Sequence, residues 1–220
     1  MRLSIKLGAL VLLSALLTGC VTTTPYDYTA FRASNPRSIL VLPPVNQTLD
    51  VSASYSFLTH VSMPLAESGY YVFPVAVVEE TFRENGLNNP EEIHALPLER
   101  LSEVFGADSV MYIKITQYGT SFQLLASDTR VTADASLVDG RTGQLLWKGQ
   151  ATASSTEQSN NNSGGGGLVG MLVVALVEQV INTTTDRSYE IAGITSSRLL
   201  SSGAVNGVLP GPRARNQQLQ

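Results

Sequence analysis

The stretch VTADASLVDGRTGQLLWKGQATA, residues 131–153, decides how this chain folds. Val131, Ala133, Ala135 and Leu137 alternate with Thr132, Asp134 and Ser136. Leu145, Trp147, Gly149 and Ala151 alternate with Leu146, Lys148, Gln150 and Thr152. Successive side chains of a strand point to opposite faces, so a period of two marks a strand with one buried side. Between the two runs lies Asp139-Gly140-Arg141-Thr142-Gly143, a cluster of turn formers. Together they predict an antiparallel hairpin over 131–153.

Upstream, residues 110–118 read as another strand, and PLERLSEVFG (97–106) as a helix with Leu98, Leu101, Val104 and Phe105 on one face. Pro97 suits its first helical position. VVEETFRENG (77–86) predicts a further helix stopped by Gly86, and Tyr70–Phe73 a short β-prone stretch closed by Pro74. Phe57, Val61 and Leu65 recur every four residues, with Leu58 on the same face, so a helix is expected there. Pro64 either kinks it or opens a second short helix, and Gly69 caps its end. Ser38–Leu42 runs apolar into Pro43-Pro44, the mark of a buried strand at a sheet edge or end. Helices and strands alternate first and strands then run together. The fold class is therefore α/β: a single domain, residues 37–203, with a mixed β-sheet flanked by helices.

Downstream, SSTEQSNNNSGGGG (154–167) is a low-complexity, flexible linker inside the domain. LVGMLVVALVEQVI (168–181) is apolar nearly all round. Fourteen residues fall short of the about 20 needed to span a bilayer as one helix. It reads as a core helix buried on two sides, or else as a partner surface or membrane-dipping segment presenting Leu168, Val169, Met171, Leu172, Val174 and Leu176. A last helix is expected at 186–202, followed by a disordered tail at 204–220.

The chain begins MRLSIKLGALVLLSALLTGCVTT. Arg2 and Lys6 followed by apolar Leu7–Leu17 form a secretory signal peptide, 1–19, too short for a spanning helix. Leu17-Thr18-Gly19-Cys20 resembles the lipobox of bacterial lipoproteins. The resemblance implies cleavage before Cys20 and acylation of both its sulfur and its new amine, with fatty acids such as palmitate. One acyl chain, at roughly 0.8 kcal/mol per buried methylene, gives only reversible attachment. Three chains would make it permanent. Val21 and Thr22 follow the cysteine, without the aspartate that retains lipoproteins in the inner membrane, so the resemblance implies outer-membrane sorting. Residues 20–36 then serve as a lipidated tether, facing the periplasm. As the lone cysteine, Cys20 can form no internal disulfide.

Removing Arg2 and Lys6 shifts the net charge from −4 to about −6, which speaks against a nucleic-acid partner. The two histidines, His60 and His94, lack any HExxH or HxH partner spacing, and no GxSxG elbow occurs. His94 with Glu91 could hold a metal only weakly, and a surface histidine is the stronger reading. Gly164–Gly167 adjoin a polar linker and carry no Gly-Lys-Ser/Thr, so they read as a hinge and not a phosphate cradle. Glu79-Glu80 and Glu91-Glu92 read as solvated faces. No catalytic residue, metal site or cofactor is nominated, and the chain reads as a non-enzyme.

PLAESGYYVFPV (64–75), ETFRENGL (80–87), FGAD (105–108) and VTADASLVDGRTGQLLW (131–147) together resemble a family of bacterial outer-membrane lipoproteins without assigned activity, related to a neisserial surface antigen. The GAD-strand and the D-x-x-TG-x-x-LW hairpin are also distantly similar to CsgG periplasmic and TolB N-terminal domains. The resemblance implies an α/β domain and a place in an envelope transport or assembly complex beside a CsgG-like lipoprotein partner, with self-association left open. The alternative class is a periplasmic ligand-binding protein or cell-wall enzyme, which would need a polar pocket at His60 or His94. The outward face of the 131–153 hairpin is too polar for lipid, so the chain is not expected to form a pore by itself.

Overall fold

The computed structural model describes residues 25–123, 126–160 and 187–214, with a six-stranded mixed sheet as its framework. Helix α1 (Thr29–Ser34) leads into β1 (Ser38–Val41) and β2 (Val45–Asn46). Helices α2 (Ala53–Leu58) and α3 (Ser62–Glu67) precede β3 (Tyr71–Val72). Then come α4 (Val75–Glu84), α5 (Pro90–His94), α6 (Leu98–Phe105) and β4 (Ser109–Gln123). Strands β5 (Ala126–Asp139) and β6 (Leu145–Ser154) follow, with α7 (Ser155–Asn160) and α8 (Arg187–Leu200) after them. The strand order is β3-β1-β4-β5-β6, with β2 also paired to β4. β1 runs parallel to β3 and β4, whereas β4, β5 and β6 form an antiparallel meander. The mixture follows from the connections: helical crossovers return a strand parallel, and hairpins return it antiparallel.

The sheet has two cores. On one face Ile39, Val41, Met111, Ile113, Leu137 and Trp147 pack against Phe31, Phe57, Leu65, Ile191 and Leu199. On the other, Leu40, Leu42 and Val110 meet Val78, Phe82, Ile93 and Leu101. Helices thus cover both faces of β1, so it is apolar without alternation. Strands β5 and β6 contribute to one core only, and their sequence alternates over most of their length.

The hairpin over 131–153 is present, with Val131 facing Ala153 and Leu137 facing Trp147. A register shift after Leu137 then pairs Val138 with Leu145. Leu146 is consequently buried and Leu145 left 45% exposed, the reverse of simple alternation. An extra residue on one strand inverts the facing of what lies beyond it. Helices α2 and α3 replace one continuous helix, with Pro64 in the first turn of α3, and Gly69 takes φ +94° at its end. Pro97 sits one residue before α6 instead of inside it. The strand at 110–118 extends over 109–123.

Four expectations need correction. β1 is neither edge nor end, for β3 and β4 flank it. Pro43 and Pro44 fall in the gap between β1 and β2, where the ladder requires no N–H. From residue 25 the tether belongs to the domain: Phe31 is 3% exposed within the first core, and Tyr28 Oη donates to the Gly207 carbonyl. Nor does the domain end at 203. Val208 is buried, Trp147 Nε1 donates to the Asn206 carbonyl at 2.9 Å, and the amides of Gly211 and Arg213 donate to Ser68 and Gly69. Residues 154–160 of the expected linker are also structured, since Ser154 closes β6 and α7 follows, while 161–167 lie outside the described residues. There Arg198 holds Glu157 at 2.7 Å, and Ser155 and Thr156 donate to the Asp128 carboxylate. Such segments are fixed by scattered backbone hydrogen bonds and single apolar anchors, which leave no period in the sequence. The rest of the leader, the apolar stretch 168–181 and residues 215–220 lie outside the described residues.

Phe31→Ala should lower stability by about 3–4 kcal/mol, the cost of emptying a core aromatic site. Urea unfolding would show this as a lowered midpoint, whereas a mere tether would give no change.

Candidate functional site

Strand β1 has β3 on one side and β4 on the other. The two crossovers that connect them leave in opposite directions, α2–α3 over the first core and α4–α6 over the second. Where connections diverge, a crevice opens outside the carboxyl end of the strand, a common place for ligands in parallel sheets. A cavity of about 410 Å³ occupies that position, lined among others by Pro43, Pro44, Tyr55, Glu79, Arg83 and Glu91. Its size falls in the range of ligand clefts, roughly 300–1,000 Å³.

Its floor is Pro43-Pro44, which offers no N–H. Both floor carbonyls are already engaged, each from a different wall. Ser54 Oγ of α2 donates to Pro44 O at 2.8 Å, and His94 Nε2 of α5 lies 2.9 Å from Pro43 O. Because a carbonyl only accepts, Nε2 carries the proton. Burial, the largest influence, pushes the His94 pKa down; the Pro43 hydrogen bond opposes this, Lys114 adds to it and Glu91 opposes it. The imidazole also meets Tyr112 edge-on, with ring centres 5.3 Å apart.

The rim is held by local side-chain turns. Asn46 Oδ1 accepts from the Thr48 amide at 2.8 Å, its Nδ2 donates to Asp50 O at 2.7 Å, and Asp50 accepts from Ser52. These bonds secure the loop after β2 while leaving Leu49 fully exposed and Val51 88% exposed. On the opposite wall Arg83 is gripped by Glu80, with Nε and Nη2 contacts of 2.8 and 2.6 Å. Glu79 and Glu91 line the cleft without an ion-pair partner among the described residues.

The structure keeps the two histidines apart. His60 lies between α2 and α3 on the first core's side, its ring 4.4 Å from that of Tyr189, and Nε2 is buried without a hydrogen-bond partner among the described residues. His94 sits on the second core's side. Among the described residues no group of three or more His, Cys, Asp or Glu side chains could hold a metal ion. Glu91 is exposed, in keeping with the expected solvated face, Glu79 is half-buried, and both line the cleft; the Pro-Pro pair ending an apolar strand was the available sign of a crevice there. Cys20 and the surface Leu168, Val169, Met171, Leu172, Val174 and Leu176 lie outside the described residues.

A histidine whose pKa is lowered on folding makes the unfolded chain take up protons first. Stability should therefore fall as pH drops below the unfolded value of about 6.5 and level off below the folded one. Urea midpoints measured between pH 7.5 and 5 should show this slope. His94→Gln, which keeps a donor for Pro43 O, should flatten it, with His60, lowered chiefly by burial, supplying the remainder.

Comparison with known proteins agrees with this fold. Residues 26–213 match the family described as "Putative lipoprotein GNA1162-like". The protein described as "Putative lipoprotein NMB1124/NMB1162" of Neisseria meningitidis serogroup B is 48% identical over 193 residues, covering 88% of each chain. The crystal structure of lipoprotein GNA1162 from Neisseria meningitidis is similar at 49% identity with a TM-score of 0.54, covering 67% of this chain and all of that one. With most of its length matched in both ways, the chain belongs to the GNA1162-like lipoprotein family.

Proposed function

We propose that acyl chains on Cys20 hold the mature protein in the outer membrane, facing the periplasm. There it serves as a non-catalytic accessory subunit of an envelope transport or assembly complex, with a CsgG-like lipoprotein as partner. Membership of a lipoprotein family supports the anchor. The observation that carries the binding role is the cleft beside β1 with its water-facing apolar lip. Val51 and Tyr55, the latter 64% exposed, line the cleft, and the exposed Leu49 lies two residues before Val51 in the same loop. Exposed apolar side chains grouped around a cleft are a recurrent feature of protein-binding surfaces. The apolar residues Leu168, Val169, Met171, Leu172, Val174 and Leu176 form a second surface for the partner or the membrane in this reading.

Two experiments test it. Cys20→Ala should move the protein from the membrane pellet to the soluble fraction and abolish incorporation of labelled palmitate; unchanged partitioning would remove the anchor. A photo-reactive amino acid at Tyr55 or Leu172, in cells at native expression, should capture a CsgG-like lipoprotein identified by mass spectrometry. Recovery of the uncross-linked monomer alone from both positions would overturn the accessory role.

A further inference from the structure

We propose that the cleft seats the lysine or arginine side chain of an extended peptide segment of the partner, an inference that rests on the accessory-subunit reading. Charge points to the sign of the ligand. Helices α4 and α5 carry Glu79, Glu80, Glu84, Glu91 and Glu92 against Arg83. Glu80 holds that guanidinium through both of its carboxylate oxygens. Glu79 and Glu91 line the cleft with no ion pair among the described residues, so its carboxylates outnumber its one lining cation even though Glu79 also acts on Arg83 and Lys114 lies within electrostatic reach of His94. A concave site of one sign between low-dielectric walls concentrates ions of the other sign.

The remaining lining suits a cationic side chain on an apolar stem. Tyr55 supplies an aromatic face, against which an ammonium or guanidinium is attracted by the ring quadrupole. The carbonyls of Pro43 and Pro44 are occupied by His94 and Ser54, so the floor presents proline rings to the methylene stem. Asn88, which has no hydrogen bond among the described residues, offers both a donor and an acceptor to a passing peptide backbone. The lip argues for a chain over a free amine. A small cation would leave Leu49 and Val51 in water, whereas a peptide continuing past its basic residue would cover them.

The test is to pan a random heptapeptide library on the full mature lipoprotein in dodecylmaltoside micelles, and then to synthesise the strongest binder. Selected peptides should be enriched in lysine or arginine. Replacing that residue with norleucine, which keeps the stem and drops the charge, should weaken binding about tenfold or more. The double variant Glu79→Gln/Glu91→Gln should weaken it similarly with an unchanged melting curve. Glu99→Gln, an exposed acid on α6 outside the cleft, should bind as the parent does. No selectable peptide, selection without basic residues, or affinity indifferent to Glu79 and Glu91 would overturn the proposal. Competition by free argininamide as strong as by the peptide would overturn it too, in favour of a small-amine site. Peptide binding as expected with no partner captured in cells would sink the accessory role alone. Capture of a partner through other surfaces, with no peptide binding, would sink this inference alone.

Discussion

β1 has no free side. Its edges are hydrogen-bonded to β3 and β4, and its faces are buried in two different cores. Four alternating residues divide accordingly, Ile39 and Val41 to one core and Leu40 and Leu42 to the other, all 1% exposed or less. Burying side chains of this size stabilises by roughly 1.5–3 kcal/mol each. No other strand of the sheet is asked to satisfy both layers so completely. The helices on either face are there because β1 cannot be left open on either.

That demand would fail if β1 could slide against β4, and a corner of hydrogen bonds prevents it. The Asp108 carboxylate accepts from the amides of Arg37 and Ser38 at 3.0 and 3.1 Å, while the Asp108 amide donates back to Ser38 Oγ. Gly140, in the hairpin turn, donates its amide to Asp108 O, and a Cβ there would stand 2.6 Å from Ala107 O. Asp139, 2% exposed, accepts from the Arg141 and Thr142 amides and from Ser34 Oγ. Burial works to raise its pKa, but those hydrogen bonds prevail and hold the carboxyl below its ordinary value. The Arg141 guanidinium, 68% exposed and 3.9 Å away, adds little by comparison, since a pair with one partner in water is weakly coupled. The GAD and DGRTG motifs are thus two halves of one joint between the parallel and antiparallel parts of the sheet.

What was legible in the sequence tracks how many faces each element buries. The hairpin at 131–153 could be read because one side is wet, so the period of two survives in its residues. Apolar β1 could be recognised as a strand but not placed, because a run buried on all sides carries no directional mark and its prolines suggest an edge. Phe31 and Val208 were illegible for a different reason: each is a single anchor in an irregular segment, and one apolar residue has no period. The cleft was half legible. Pro43-Pro44 marked a break after a buried strand, but nothing in Glu79 or Glu91 announced that divergent crossovers would bring both to it.

The same geometry bears on how such a cleft can bind. Its position follows from the core's topology, and its floor carbonyls are tied to both walls by Ser54 and His94. The side-chain turns through Asn46, Thr48, Asp50 and Ser52 order the lip without burying it. A loop whose backbone is already held by such turns avoids the cost of ordering it on association, although the exposed Leu49 and Val51 side chains would still cost about 0.5–1.5 kcal/mol each to immobilise. In that loop the Asn46, Thr48 and Asp50 side chains bond the amides of Thr48, Asp50 and Ser52, alternating with Leu49 and Val51. Leu49 and Val51 are as exposed there as in an unfolded chain, so they contribute nothing to folding. Their apolar surface thus stays free to be buried by association, which the stability of the isolated fold does not require.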